Sequence, residues 1–138
     1  MLDYLLDRAR EQWFAPDHAV CPDDVPAGRP QPFMCYLNAL RLEIAPMWTI
    51  VKIGDTPADI EEGLNAGMWT IGITRTGNEV GRTPSEWDAL SEDEKLLALA
   101  NAHEILQRAG AHYFAQSVAE CDEILDHLQA RLDTGDRP

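Results

Sequence analysis

The stretch from Thr49 to Gly67, TIVKIGDTPADIEEGLNAG, leaves few folds open to this chain. A run rich in strand formers (Thr49, Ile50, Val51, Ile53) stops at Gly54-Asp55. A helix then opens at once: Thr56 fits the N-cap, Pro57 the first helical position and Asp59 the first turn. Gly67 fits the residue that closes it. Asp55 therefore stands at the carboxyl end of a strand, and Asp59 one helical turn later points at the same place. In an open α/β sheet that edge is where ligands bind. Two carboxylates converging there suit a hard divalent cation, most simply Mg²⁺, which takes oxygen ligands and keeps several waters. A capped helix with an acid in its first turn accounts for the same residues, and at this point both readings stand.

The rest of the chain repeats the alternation. Residues 2 to about 12 read as an amphipathic helix with Leu2, Leu5, Leu6 and Ala9 on one face, ended by Pro16. Ala19 to Cys21 reads as a short buried strand. Residues 22–32, PDDVPAGRPQP, carry four prolines and a glycine and form an irregular loop. A helix follows from Phe33 to Glu43, with Phe33, Leu37, Leu40 and Ile44 as its apolar stripe. Met47 to Gly54 is the next strand, apolar but for Lys52, as in a strand covered on both faces. Trp69 to Thr74 is a third strand, and 75–84 a loop with two glycines. Thr83 to Glu86, Ser91 to Glu94 and Ser117 to Glu120 are capping boxes. The second opens a helix to Ala109. His112 to Ala115 is a fourth strand. The third box opens a last helix with Val118, Cys121, Leu125, Leu128 and Leu132 inward. Residues 133–138 read as a frayed tail. Strands alternating with helices predict a parallel sheet with helices on both faces.

At 138 residues the chain is one domain's worth, and 45% hydrophobic residues is a globular composition. The net charge of −13 argues against nucleic acid and anionic membranes as partners. Three cysteines (Cys21, Cys35, Cys121) without C-x-x-C spacing suit free thiols in a reducing cytoplasm. The expected location is cytoplasmic. There is no Walker A, no G-x-G-x-x-G and no nucleophile elbow. His103 lies on an apolar helix stripe and reads as a packed histidine rather than a catalyst, Trp48 and Trp69 read as packing residues, and Gly77 and Gly81 as turn residues.

Three separated patterns carry a resemblance: PDDVPAGRP before a helix, VKIGDTPADIEEGLNAGMW, and TGNEVG after the next strand. Together, and with the C-terminal AGAHYFAQSVAECDEIL, they resemble the haloacid-dehalogenase (HAD) superfamily and, within it, the phosphonoacetaldehyde hydrolase family. GDTPAD alone would suggest only the superfamily. Arg29 in the AGRP loop, where most HAD phosphatases carry Lys, together with GNEVG, points to the phosphonate-cleaving branch. The resemblance implies an HAD-like (Rossmannoid) fold and an organophosphonate small-molecule substrate. It also implies a Mg²⁺ cofactor and a homodimer in the full-length enzyme. It implies that Asp55 is the Mg²⁺ ligand, that Asp59 supports it, and that Arg29 binds the phosphoryl group. A guanidinium suits that role because its planar fork can hold two phosphate oxygens. Without the resemblance, Arg29 would read as a surface residue paired with Asp23 or Asp24.

The family mechanism requires more than these residues. Such enzymes attack phosphorus with an Asp at the end of the first core strand, and the phosphonate-cleaving branch adds a cap-domain Lys that forms a Schiff base. No apolar strand here ends in Asp followed two residues later by another acid. The only lysines are Lys52, inside a strand, and Lys95, at a charged helix start. Residues 1–138 therefore read as the C-terminal portion of an HAD-like core, without its first core strands and cap. In the family, the first core strands lie between the strand near Val20 and the strand near Val51. The expectation is that the chain alone is inactive. Two other functions fit the same residues: an HAD phosphatase acting on a phosphate ester, or a non-catalytic α/β module that binds Mg²⁺ or a protein partner.

Overall fold

The computed structural model describes residues 2–138, with Asp3 by its backbone alone. Strands β1 (Val51–Gly54), β2 (Trp69–Ile73) and β3 (Tyr113–Ala115) form one parallel sheet in that order. Val51 lies opposite Trp69, and Ile71 opposite Tyr113. Side chains alternate across a sheet. Trp69, Ile71 and Ile73 therefore face one way, onto Cys121 and Leu128 of the last helix, Cys121–Asp133. Thr70 and Gly72 face the other way, towards the helices Pro57–Ala66 and Glu92–Arg108. Helices cover both faces, as the alternation predicts.

The helices are numbered α1 (Leu2–Glu11), α2 (Phe33–Arg41), α3 (Pro57–Ala66), α4 (Pro84–Asp88), α5 (Glu92–Arg108) and α6 (Cys121–Asp133). Their caps explain where they start. Thr56 is extended, at φ −129° and ψ 157°, and its hydroxyl accepts the Asp59 N–H at the start of α3. The Thr83/Glu86 and Ser91/Glu94 boxes are both reciprocal and open α4 and α5. Gly67 ends α3 at φ 77°, a conformation that costs glycine nothing.

Several expectations are corrected. Ala19–Cys21 is not a strand; instead the Cys21 N–H donates to Asp24 Oδ2 at 2.9 Å and heads a 3₁₀ turn over Pro22–Asp24. The strand at Met47–Gly54 is shorter, because Met47–Thr49 curls into a 3₁₀ turn closed by Thr49 Oγ1 on the Pro46 carbonyl at 2.7 Å. The inward face of α2 is Met34, Cys35 and Ala39, not the Phe33/Leu37/Leu40/Ile44 stripe, of which Leu37 is half-buried and the other three are exposed. Ser117 makes no side-chain cap; Glu120 reaches back to the Gln116 N–H at 3.0 Å, a 3₁₀ turn precedes α6, and Val118 is exposed. His103, in keeping with a packed histidine, stacks on Phe114 with ring centroids 4.0 Å apart. The tail makes contacts of its own: Asp136 pairs with Arg131 at 2.8 Å and the Arg137 guanidinium lies over Trp48. All three cysteines are free.

His112 ties the far side of the sheet. Its Nδ1 accepts the Thr70 N–H at 3.0 Å, and the Thr70 hydroxyl lies 2.9 Å from the same nitrogen. The accepting role requires a neutral ring with its proton on Nε2. Burial first, then the Arg131 charge, hold His112 below the ordinary histidine value. As pH falls, the unfolded chain takes up this proton first. The contribution is therefore complete above about pH 6.5 and is lost on acidification below it. Thermal unfolding of the native chain should lose ground relative to His112→Phe between about pH 7 and pH 5. A pH-independent difference between the two proteins would contradict the assignment.

Candidate functional site

Asp55 follows β1 directly, at the carboxyl edge of the parallel sheet. Its Oδ2 accepts the backbone N–H of Asn78 at 3.0 Å. The loop after β2 thus reaches across to the end of β1. It can do so because of Gly77: a Cβ there would overlap the Ile73 carbonyl oxygen and come within 2.8 Å of Asp55 Cβ. Gly77 does more than turn the chain. It lets the backbone lie against the candidate metal ligand.

Asp59 is held from every side. Thr56 Oγ1 donates to Asp59 Oδ2 at 2.6 Å. Asp59 Oδ1 meets Arg29 Nη1 at 3.0 Å and Lys52 Nζ at 3.3 Å. Burial works to raise its pKa, but the Thr56 hydrogen bond and the Lys52 and Arg29 charges together outweigh that, and the net shift is downward. Glu62, one turn further along α3, completes a square of charges: its Oε2 lies 2.6 Å from Lys52 Nζ and 3.8 Å from Arg29 Nε. Its side chain is 1% exposed, and its Oε1 has no hydrogen-bond partner. The Arg29 side chain is 45% exposed, so the guanidinium is both anchored and open. Burial, then the Glu62 carboxylate, push the neighbouring Cys35 thiol up to about 11, which makes it a poor nucleophile.

The structure thus brings Arg29 and Asp59 together and leaves Asp55 at the end of β1, just before the Thr56 N-cap of the helix that carries Asp59. Arg29 pairs with Asp59 and Glu62, not with Asp23 or Asp24. Sequence reading passed over Glu62. Two signals pointed to it: a lone Lys52 in an apolar strand needs a carboxylate, and Asp59 and Glu62 share a helix face at i, i+3. Lys52, gripped by two carboxylates, and Lys95, paired with Glu92 at 2.8 Å, are both engaged in ion pairs.

The donor set bears on Mg²⁺. Both oxygens of Asp59 are engaged by protein groups, whereas Asp55 carries one hydrogen bond, on Oδ2. No cluster of three or more metal-ligating side chains occurs among the described residues. A hard cation attached through one carboxylate and several waters fits Asp55.

Beside β1 runs a cleft of about 610 Å³, lined by Val20 and Val51 and, among its polar residues, by Arg29, Lys52 and Glu62. Among the described residues β1 pairs with β2 alone, so its other edge borders this cleft. No described helix is long and apolar enough to cross a membrane.

Parallel strands between helices, with acids and cations gathered where β1 meets α3, define an open α/β core of the Rossmann-like class. By sequence, the chain is homologous along its whole length to phosphonoacetaldehyde hydrolases. A phosphonoacetaldehyde hydrolase-like protein of Syntrophobacter fumaroxidans is 48% identical over 138 residues, which is all of this chain and 50% of that protein. A phosphonoacetaldehyde hydrolase of Nitratidesulfovibrio vulgaris is 45% identical over the whole chain and 49% of its own length. The crystal structure of a phosphonoacetaldehyde hydrolase-like protein from Oleispira antarctica superposes with a TM-score of 0.93 at 42% identity. It covers 96% of this chain and 48% of that one. No protein-family model matches. The chain spans about half the length of the curated relatives it matches.

Proposed function

We propose that this chain supplies the metal-binding and phosphoryl-binding half of a phosphonoacetaldehyde hydrolase of the HAD type. The reaction converts phosphonoacetaldehyde and water to acetaldehyde and phosphate. The observation that carries the reading is the Arg29–Asp59 pair, 3.0 Å apart on the helix that follows Asp55, with the guanidinium still half exposed. Asp59 holds one nitrogen of the Arg29 fork and the Glu62 charge faces another at 3.8 Å, which leaves the remaining donors for phosphoryl oxygens. Asp55 would hold Mg²⁺, which supplies charge neutralisation at the phosphoryl group when bound. The Asn78 N–H keeps the Asp55 carboxylate oriented for that task.

No strand here ends in an Asp followed two residues later by another acid, and both lysines sit in ion pairs, so the attacking carboxylate and the imine-forming amine are expected from outside these 138 residues. The chain alone is expected to bind Mg²⁺ weakly and to give no turnover. Titration of Mg²⁺ followed by amide NMR should shift Asp55, Asn78 and their neighbours, and Asp55→Asn should abolish the shift. Equal response in Asp55→Asn, or acetaldehyde release by the isolated chain above that variant, would contradict the reading.

A further inference from the structure

Arg29 arrives on a loop without regular structure, yet its guanidinium occupies a defined place. What defines it is one face of α3. Asp59, Glu62 and Asn65 recur at i, i+3 and i+6, so they stand in a row along the helix. Asp59 Oδ1 meets Arg29 Nη1 at 3.0 Å, and Glu62 Oε2 faces Arg29 Nε at 3.8 Å. Asn65 Nδ2 donates to the carbonyl of Pro30, the next residue, at 2.8 Å. A turn closed by the Gln31 N–H on the Gly28 carbonyl at 3.1 Å keeps this segment short. Tyr36 of α2 donates to the Asn65 carbonyl at 3.3 Å, joining α2 to the same end of the row.

We propose that Glu62 and Asn65 are positioning residues that seat Arg29 on α3: Asn65 pins the loop backbone and Glu62 sets the guanidinium edge and the adjacent Lys52. Neither touches the phosphoryl group. The proposal rests on the phosphoryl-binding reading of Arg29 only for its consequence, not for its geometry. Glu62 offers a sign test. By Coulomb's law alone, removing a carboxylate near an anion site strengthens anion binding. If Glu62 positions Arg29 and Lys52, removing its charge weakens it.

The test uses the 138-residue chain, ¹⁵N-labelled, with the Arg29 side-chain signal assigned through Arg29→Lys, and with inorganic phosphate plus Mg²⁺ as the probe. Asn65 is exposed, so Asn65→Ala should keep the fold, visible as unchanged amide signals in β1 and β2. In Asn65→Ala and Glu62→Gln the Arg29 signal should broaden and move towards that of a free guanidinium. Phosphate binding should weaken about five- to tenfold in Asn65→Ala, the size of one lost hydrogen bond, and should weaken rather than tighten in Glu62→Gln, which loses the ion contact to Arg29. An Arg29 signal unchanged in Asn65→Ala, or tighter phosphate binding in Glu62→Gln, would overturn the proposal. If the native Arg29 signal ignores phosphate, the phosphoryl-binding reading fails. The phosphate-free Arg29 spectra of the variants still decide the positioning claim.

Discussion

Lys52→Met is expected to cost the chain about 3–5 kcal/mol, the usual consequence of removing one partner from a buried ion pair. Lys52 Nζ is the closest cation to Glu62, at 2.6 Å, and the Glu62 side chain is 1% exposed with one oxygen already unpartnered. Taking the ammonium away leaves a buried carboxylate facing Arg29 at 3.8 Å, too far for a hydrogen bond. Against a total stability of about 5–15 kcal/mol for a domain, that loss is severe. Denaturant unfolding should show it as a lowered midpoint at unchanged slope. The pair Lys52→Met with Glu62→Leu should recover most of the loss, because an apolar pair replaces the ions with nothing left uncompensated. A single variant within about 0.5 kcal/mol of the native chain would show that the square of charges contributes little.

Gly54→Ala is expected to be similarly damaging for a steric reason. A Cβ at Gly54 would overlap Asp59 Cβ and lie 2.9 Å from Asp59 Cγ. Neither neighbour can yield cheaply. Gly54 is held in the β1–β2 ladder opposite Gly72, and Asp59 is buried in the first turn of α3. The added methyl pushes α3 off the strand end and pulls Asp59 away from Thr56, Lys52 and Arg29. Overpacking alone costs roughly 1–3 kcal/mol, and the broken pairing adds to it. The same variant should lose phosphate-dependent shifts at Arg29. A fully stable Gly54→Ala chain would mean that α3 can slide without disturbing the site.

What the sequence made legible was local and cap-driven. Thr56-Pro57, Gly67 and the Ser91 and Thr83 boxes place helix ends because one side chain meets one backbone group a few residues away. The same logic put Asp55 at a strand end. What stayed hidden depends on distant partners. The bend at Met47–Thr49 has strand-forming residues, but the Thr49 hydroxyl closes it onto Pro46. The inward face of α2 is set by what α3 and Met68 present to it, so Cys35 and Ala39 are buried while Leu40 is exposed. Arg29 sits 30 residues before Asp59, and nothing in the loop's composition shows that two acids on α3 will claim it. The motif resemblance gives Arg29 a phosphoryl-binding role; Glu62 and Asn65 lie within the quoted pattern without a role of their own, and their contacts to the loop are visible only once it lies on the helix.

The most direct measurement joins this chain to the half of the Syntrophobacter fumaroxidans relative that it does not match, and follows acetaldehyde release from phosphonoacetaldehyde with Mg²⁺ present. The chimera is expected to turn over, and its rate to fall by about two orders of magnitude or more in both Arg29→Ala and Asp55→Asn, as when a preorganised charge at the reacting group is removed. A folded chimera that releases no acetaldehyde, or one whose activity is indifferent to both substitutions, would contradict the proposed function.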